Sequence, residues 1–192
     1  MQKTIRITTF AALIWAILLV PQVASAKTNR EKIELLLSGI EYVPSKEALM
    51  QLGTDIDGVL RDIVAKPSAR RLARTRALTA LRWFPSKATE DLLHSVILAN
   101  SKAKKGLALL NLGKALCSYA VIAGPKSLKI SLPFLSHPSP ELRYRSARAV
   151  LLSKSPDARA ILVKLLEKEP SAMVRHQIKK QIMETTEPST QK

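Results

Sequence analysis

The chain repeats itself, and that limits it to few architectures. Residues 74–81 line up with 143–150 and with 175–182, each stretch opening on an arginine: Arg74, Arg143 and Arg175. The apolar or small positions coincide as Ala73/Leu142/Val174, Ala77/Ser146/Ile178 and Leu81/Val150/Ile182. The offsets are 69 and 32 residues, about two repeats and one. The segments that follow match as well. Leu93, Val96 and Ile97 fall on Leu162, Leu165 and Leu166 at the same offset of 69, and Leu60, Ile63 and Val64 fall on the first set at 33. A period near 33 residues built from two amphipathic helices is the pattern of a stacked helical array. One pair cannot bury its own apolar stripe, so the neighbouring pair supplies the other wall.

Local signals agree with helices throughout. Thr28 with Glu31 forms a capping box that opens a helix running to about residue 40. Ser45 caps a short helix ahead of Gly53. Thr54 starts another that Pro67 ends. Helices are predicted over 68–84, stopped by Pro85, over 88–100, and over 106–122, where Gly124 and Pro125 punctuate the end. Residues 126–135 are ambiguous, because Leu128, Ile130, Leu132 and Phe134 alternate as in a strand. No partner strand is visible elsewhere, so this segment is also assigned to helix. Segments 140–153, 156–168 and 171–185 complete the set. The fold class predicted is all-α, a right-handed α-solenoid of about four stacked helix-pair repeats.

Two ends stand apart. Lys3 and Arg6 precede an apolar run of 11 residues, Phe10 to Val20, and Ala24 and Ala26 supply a small-x-small cleavage pattern. These features predict a cleavable signal peptide over 1–26 and an exported, periplasmic or secreted, protein. The run is shorter than the roughly 20 residues of a spanning helix, and no transmembrane segment is expected in the remaining chain. The helical domain then spans 27–185, and 186–192 form a polar tail expected to be disordered.

Residues 139–178, with their Pro-led turn, apolar–Arg pair, small residues along the first helix and apolar second helix, resemble HEAT repeats. The likeness is best over 138–182, fair over 67–98 and weak elsewhere. The third unit departs from the pattern, with Leu110 near the place of the arginine and Pro133 inside its second helix. The resemblance implies a fold and a habit of binding partners, and no catalytic residue. It also implies that second helices line the concave side. Positions opposite their apolar stripes form a candidate partner-binding groove: Arg61, Asp62, Asp91, His94, Leu98, Val163, Lys164 and Glu167. Leu98 and Val163 are apolar residues in a mixed-charge surround, which suits a protein partner.

Charge points to a second surface. With 31 Lys+Arg against 15 Asp+Glu the net charge is +16, so the expected partner is acidic. On the first helices, Arg71, Arg82, Arg145 and Arg148 project away from the apolar centre and form a candidate anion surface for lipid headgroups or envelope polymers. The export signal and the scarcity of aromatics for stacking bases argue against nucleic acid. Arg74, Arg143 and Arg175, at the edge of the apolar stripe, are read as structural residues that bridge repeats through loop carbonyls or an acidic side chain.

Catalysis has no foothold in the sequence. His94, His137 and His176 lack metal-ligand spacing, and no paired carboxylates lie in an apolar setting. Six glycines do not make a phosphate-cradling loop. Cys117, the sole cysteine, sits in an apolar run and reads as a small buried hydrophobe; Trp83 reads as a packing residue. The function expected is a non-catalytic binding module or scaffold for a protein partner, with an anion-surface binder as the alternative, and neither cofactor nor metal.

Overall fold

The computed structural model describes residues 28–40 and 43–184, and every element among them is helical. The expected signal peptide and the tail 186–192 lie outside the described residues. Ten α-helices are named here: α1 Asn29–Ser38, α2 Lys46–Met50, α3 Ile56–Ala65, α4 Arg71–Ala80, α5 Lys87–Asn100, α6 Gly106–Ala123, α7 Leu128–Ser131, α8 Pro140–Leu152, α9 Ala158–Lys168 and α10 Ala172–Glu184.

Helices α1, α2, α3 and α5 each start on a side-chain cap. Thr28 accepts from the Glu31 amide, and the Glu31 side chain accepts from the Thr28 amide, the reciprocal box read from sequence. Ser45 and Ser86 cap α2 and α5. The α3 helix is capped one residue later than predicted: Asp55 accepts from the Gly58 amide at 3.0 Å, a stronger acceptor than the Thr54 hydroxyl. The predicted helix over 68–84 is shorter, because α4 ends at Ala80 and a 3₁₀ turn, Leu81–Trp83, tightens the chain before Pro85. Segment 126–135 is helical but broken. The 3₁₀ turns Gly124–Ser127 and Leu132–Ser136 flank the single turn α7, since Pro125 and Pro133 lack the amide a continuous ladder needs. Gly124, at φ +59°, is where α6 stops, in the left-handed region that glycine adopts without steric cost.

Packing follows the repeat. Helices α1, α4, α6, α8 and α10 pack in succession, each against the next. The intervening elements flank this row: α3 against α1, α4 and α5; α5 against α6; the turns of 124–136 against α6 and α8; α9 against α8 and α10. All nine aligned positions of the three arginine-led helices are buried, from Ala73, Leu142 and Val174 to Leu81, Val150 and Ile182. A larger core runs from Ile33 in α1 to Ala149 in α8, and a smaller one joins α8, α9 and α10 around Leu162 and Ile178. The centre is α6. Its Ser118 hydroxyl donates to the Leu78 carbonyl of α4 at 2.7 Å, and Gly113 lets the Arg145 side-chain stem of α8 lie directly on its backbone. Gly106–Ser136 is long and apolar enough to cross a membrane by length and composition, yet half of its apolar window is buried inside the fold. A helix that packs on α4 to one side and α8 to the other carries apolar residues around more of its circumference than a helix with one buried face.

Candidate functional site

Two of the three repeat arginines work as one device. Arg143 Nη1 donates to the carbonyls of His137 and Pro138 at 2.9 and 3.0 Å. Arg175 Nη1 donates to those of Glu169 and Pro170 at 2.6 and 3.0 Å. In both cases the acceptors are six and five residues upstream, so the guanidinium ties each helix to its own entry loop. Arg143 adds a bidentate pair with Glu169, Nε to Oε2 at 2.8 Å and Nη2 to Oε1 at 2.7 Å, across to the linker before α10. The Glu169 side chain is fully buried. The Arg143 guanidinium, then the Ser171 amide, hold its carboxyl below the usual range, while the Glu169 bond raises Arg143. Arg74 differs: its Nε reaches back to the Val64 carbonyl of α3 at 3.3 Å.

The groove residues are partly tied to their neighbours. Arg61 is half-buried beside Asp57, 3.4 Å away; Asp91 pairs with Lys87; and the His94 ring stacks on Tyr119 at 5.8 Å between centroids and 28° between planes. Asp62, Lys164 and Glu167 are exposed. Leu98 and Val163 are 59% and 46% exposed, on α5 and α9 respectively. The partners of these two helices differ: α5 packs on α3 and α6, whereas α9 packs on α8 and α10.

The predicted anion surface is brought together except at one end. Arg71 is exposed at the start of α4. Arg82, past the far end of α4, places its guanidinium over the Trp83 ring, 5.3 Å from the centroid. Arg145 bonds Glu141 one turn back, Nε to Oε1 at 2.7 Å, and Arg148 is exposed on the same helix. All three act on Lys114 of α6, which is half-buried. Burial first, then the positive charge of Arg145, with Arg148 and Arg82 adding, pushes the Lys114 ammonium below its usual range. Beside it Cys117 donates to the Arg145 carbonyl at 3.5 Å, and burial pushes its thiol up, against the pull of the same cations. Glu141 offsets one of these charges. The face continues past Arg148 into a cleft of about 780 Å³ that Lys154 and Arg159 also line, with Leu151, Leu152 and Ile182 as apolar wall.

Sequence reasoning missed Lys114 and Glu169. Lys114 was hidden in an apolar run, but its spacing, 32 residues after Arg82 and 34 before Arg148, is one repeat from each. Glu169 carried no signal beyond its place in a linker. Among the described residues no group of three His, Cys, Asp or Glu side chains stands together as metal ligands would.

Comparison with family models, with curated proteins and with solved structures gave no match.

Proposed function

We propose that the chain is a non-catalytic binding module: a HEAT-like solenoid of about four helix pairs, exported through residues 1–26, that takes an anionic partner on the face shared by α4, α6 and α8. The observation that carries this reading is the focus of Arg82, Arg145 and Arg148 on the half-buried Lys114. Arg82, past the end of α4, and Arg145 and Arg148 on α8 lie close enough to Lys114 of α6 to add to burial in depressing its ammonium, which is a costly arrangement for a surface with no anion to meet. A phosphate-bearing surface, as in lipid headgroups or an envelope polymer, relieves that repulsion and gains charge-assisted bonds from the guanidinium forks. The succession of α1, α4, α6, α8 and α10 supports the solenoid by giving the repeated helices one row.

Co-sedimentation with vesicles tests it. Vesicles holding about a third phosphatidylglycerol are expected to take the protein, and neutral phosphatidylcholine vesicles to leave it in solution. Binding should fall away by roughly 0.3 M salt, where the Debye length is well under 10 Å. Arg82→Gln with Arg148→Gln should weaken it, and Leu98→Asp should not. Salt-resistant capture of a protein that is lost in Leu98→Asp or Val163→Asp would instead move the function to the surface of α5 and α9.

A further inference from the structure

We propose that a second cleft, walled by α3, α4, α5 and α6, binds a carboxylate carried on a short aliphatic body. The cleft holds about 380 Å³, within the range of small-ligand sites. Its floor is Val64 and Leu78, 5% and 2% exposed, and Leu92 and Val96 form an apolar wall. Among the described residues Arg74 is the one ionisable group in its lining.

Arg74 departs from its repeat partners in a way that leaves donors free. Arg143 and Arg175 spend Nη1 on two entry-loop carbonyls. Among the described residues Arg74 makes a single hydrogen bond, from Nε to the Val64 carbonyl, and lines the cleft with Nη1 and Nη2 left without acceptors. Asn111, on α6, accepts at Oδ1 from the Thr75 hydroxyl at 3.0 Å, and among the described residues its amide nitrogen has no acceptor. A guanidinium fork and an amide NH₂ are what a carboxylate accepts from. The closing turns of α3 and α5, with Val64, Ala65, Ala99 and Asn100 in the lining, bring partial negative charge that the guanidinium must outweigh. The full charge of Arg74 then sets the sign, and the floor and wall take an aliphatic body of leucine size. A free branched acid and a peptide ending in leucine share this chemistry.

Calorimetric titration of the full protein separates these cases. The probes are 4-methylpentanoate and its neutral amide, and N-acetyl-Gly-Leu as the acid and as the C-terminal amide. Each acid should bind, and its amide should bind about tenfold weaker or worse. Tighter binding of the peptide acid marks a chain terminus as the occupant; tighter binding of 4-methylpentanoate marks a free acid. Arg74→Gln should lose about tenfold for the acids only, with its melting curve checked alongside. Val96→Trp, which fills the cleft and leaves Arg74 in place, should abolish binding of all four probes. Equal binding of acid and amide, unchanged affinity in Arg74→Gln, or no binding of either acid at about 10 mM would overturn the proposal.

Discussion

Glu169 shows how much one residue decides. Its carboxylate is fully buried and holds three donors: two guanidinium nitrogens of Arg143 and the Ser171 amide. Removing the arginine leaves a buried charge without its counter-ion, so Arg143→Ala should cost about 3–5 kcal/mol in a denaturant titration. Arg175→Ala loses its two carbonyl bonds and a weaker charge on Glu169, and should cost about 1.5–3 kcal/mol. The double variant Arg143→Met, Glu169→Leu should recover most of the first loss, because neither charge then remains buried. The pH dependence has a definite sign. The folded-state pKa of Glu169 is depressed, so its stabilisation is complete above the ordinary glutamate value of 4.5 and is lost as pH falls through the lower folded value. Melting curves between about pH 6 and pH 3 should show this loss in the parent and not in the double variant. The arginine was legible in the sequence because it recurs at fixed register. Its partner was not, because a contact across 26 residues depends on how α9 returns the chain to α8.

Elements were legible where punctuation and periodicity agree. Thr28 and Ser45 cap helices as their residue types demand, and Gly124 closes α6. Reading failed in detail where two signals compete. Across 124–136 the apolar spacing is that of a strand, the prolines forbid a continuous helix, and tertiary packing on α6 and α8 settles for single turns. Such turns hold few ladder bonds, so their amides should exchange with solvent faster than those of α6 beside them, measured by hydrogen exchange. The contact between α6 and α8 is the tightest test of packing. Gly113 has no Cβ, and Arg145 occupies the space where one would sit. Gly113→Val should lower stability by about 1–3 kcal/mol through overpacking, seen as an earlier urea midpoint, and should displace Arg145 from Glu141.

On the scale of the whole molecule, the repeat and the charge are one arrangement. Stacking α4, α6 and α8 at one-repeat intervals brings Arg82, Lys114 and Arg148 to a common neighbourhood, although each is more than 30 residues from the next. The sequence showed the excess charge and three of its arginines. The focus on Lys114 needed the row of helices, since face-to-face distance between repeats is a property of packing and not of any one helix. The proposed site therefore rests on the position of these cations and not on net charge. Its most direct test compares two triple variants with equal charge loss on phosphatidylglycerol vesicles. One is Arg82→Gln, Arg145→Gln, Arg148→Gln; the other is Lys32→Gln, Lys46→Gln, Lys168→Gln, on the exposed faces of α1, α2 and α9. At about 1 kcal/mol per cation near an anionic surface, the first should lose roughly 100-fold in affinity, and the second should stay within a few-fold of the parent. Equal losses in the two would contradict the account and reduce the binding to overall charge.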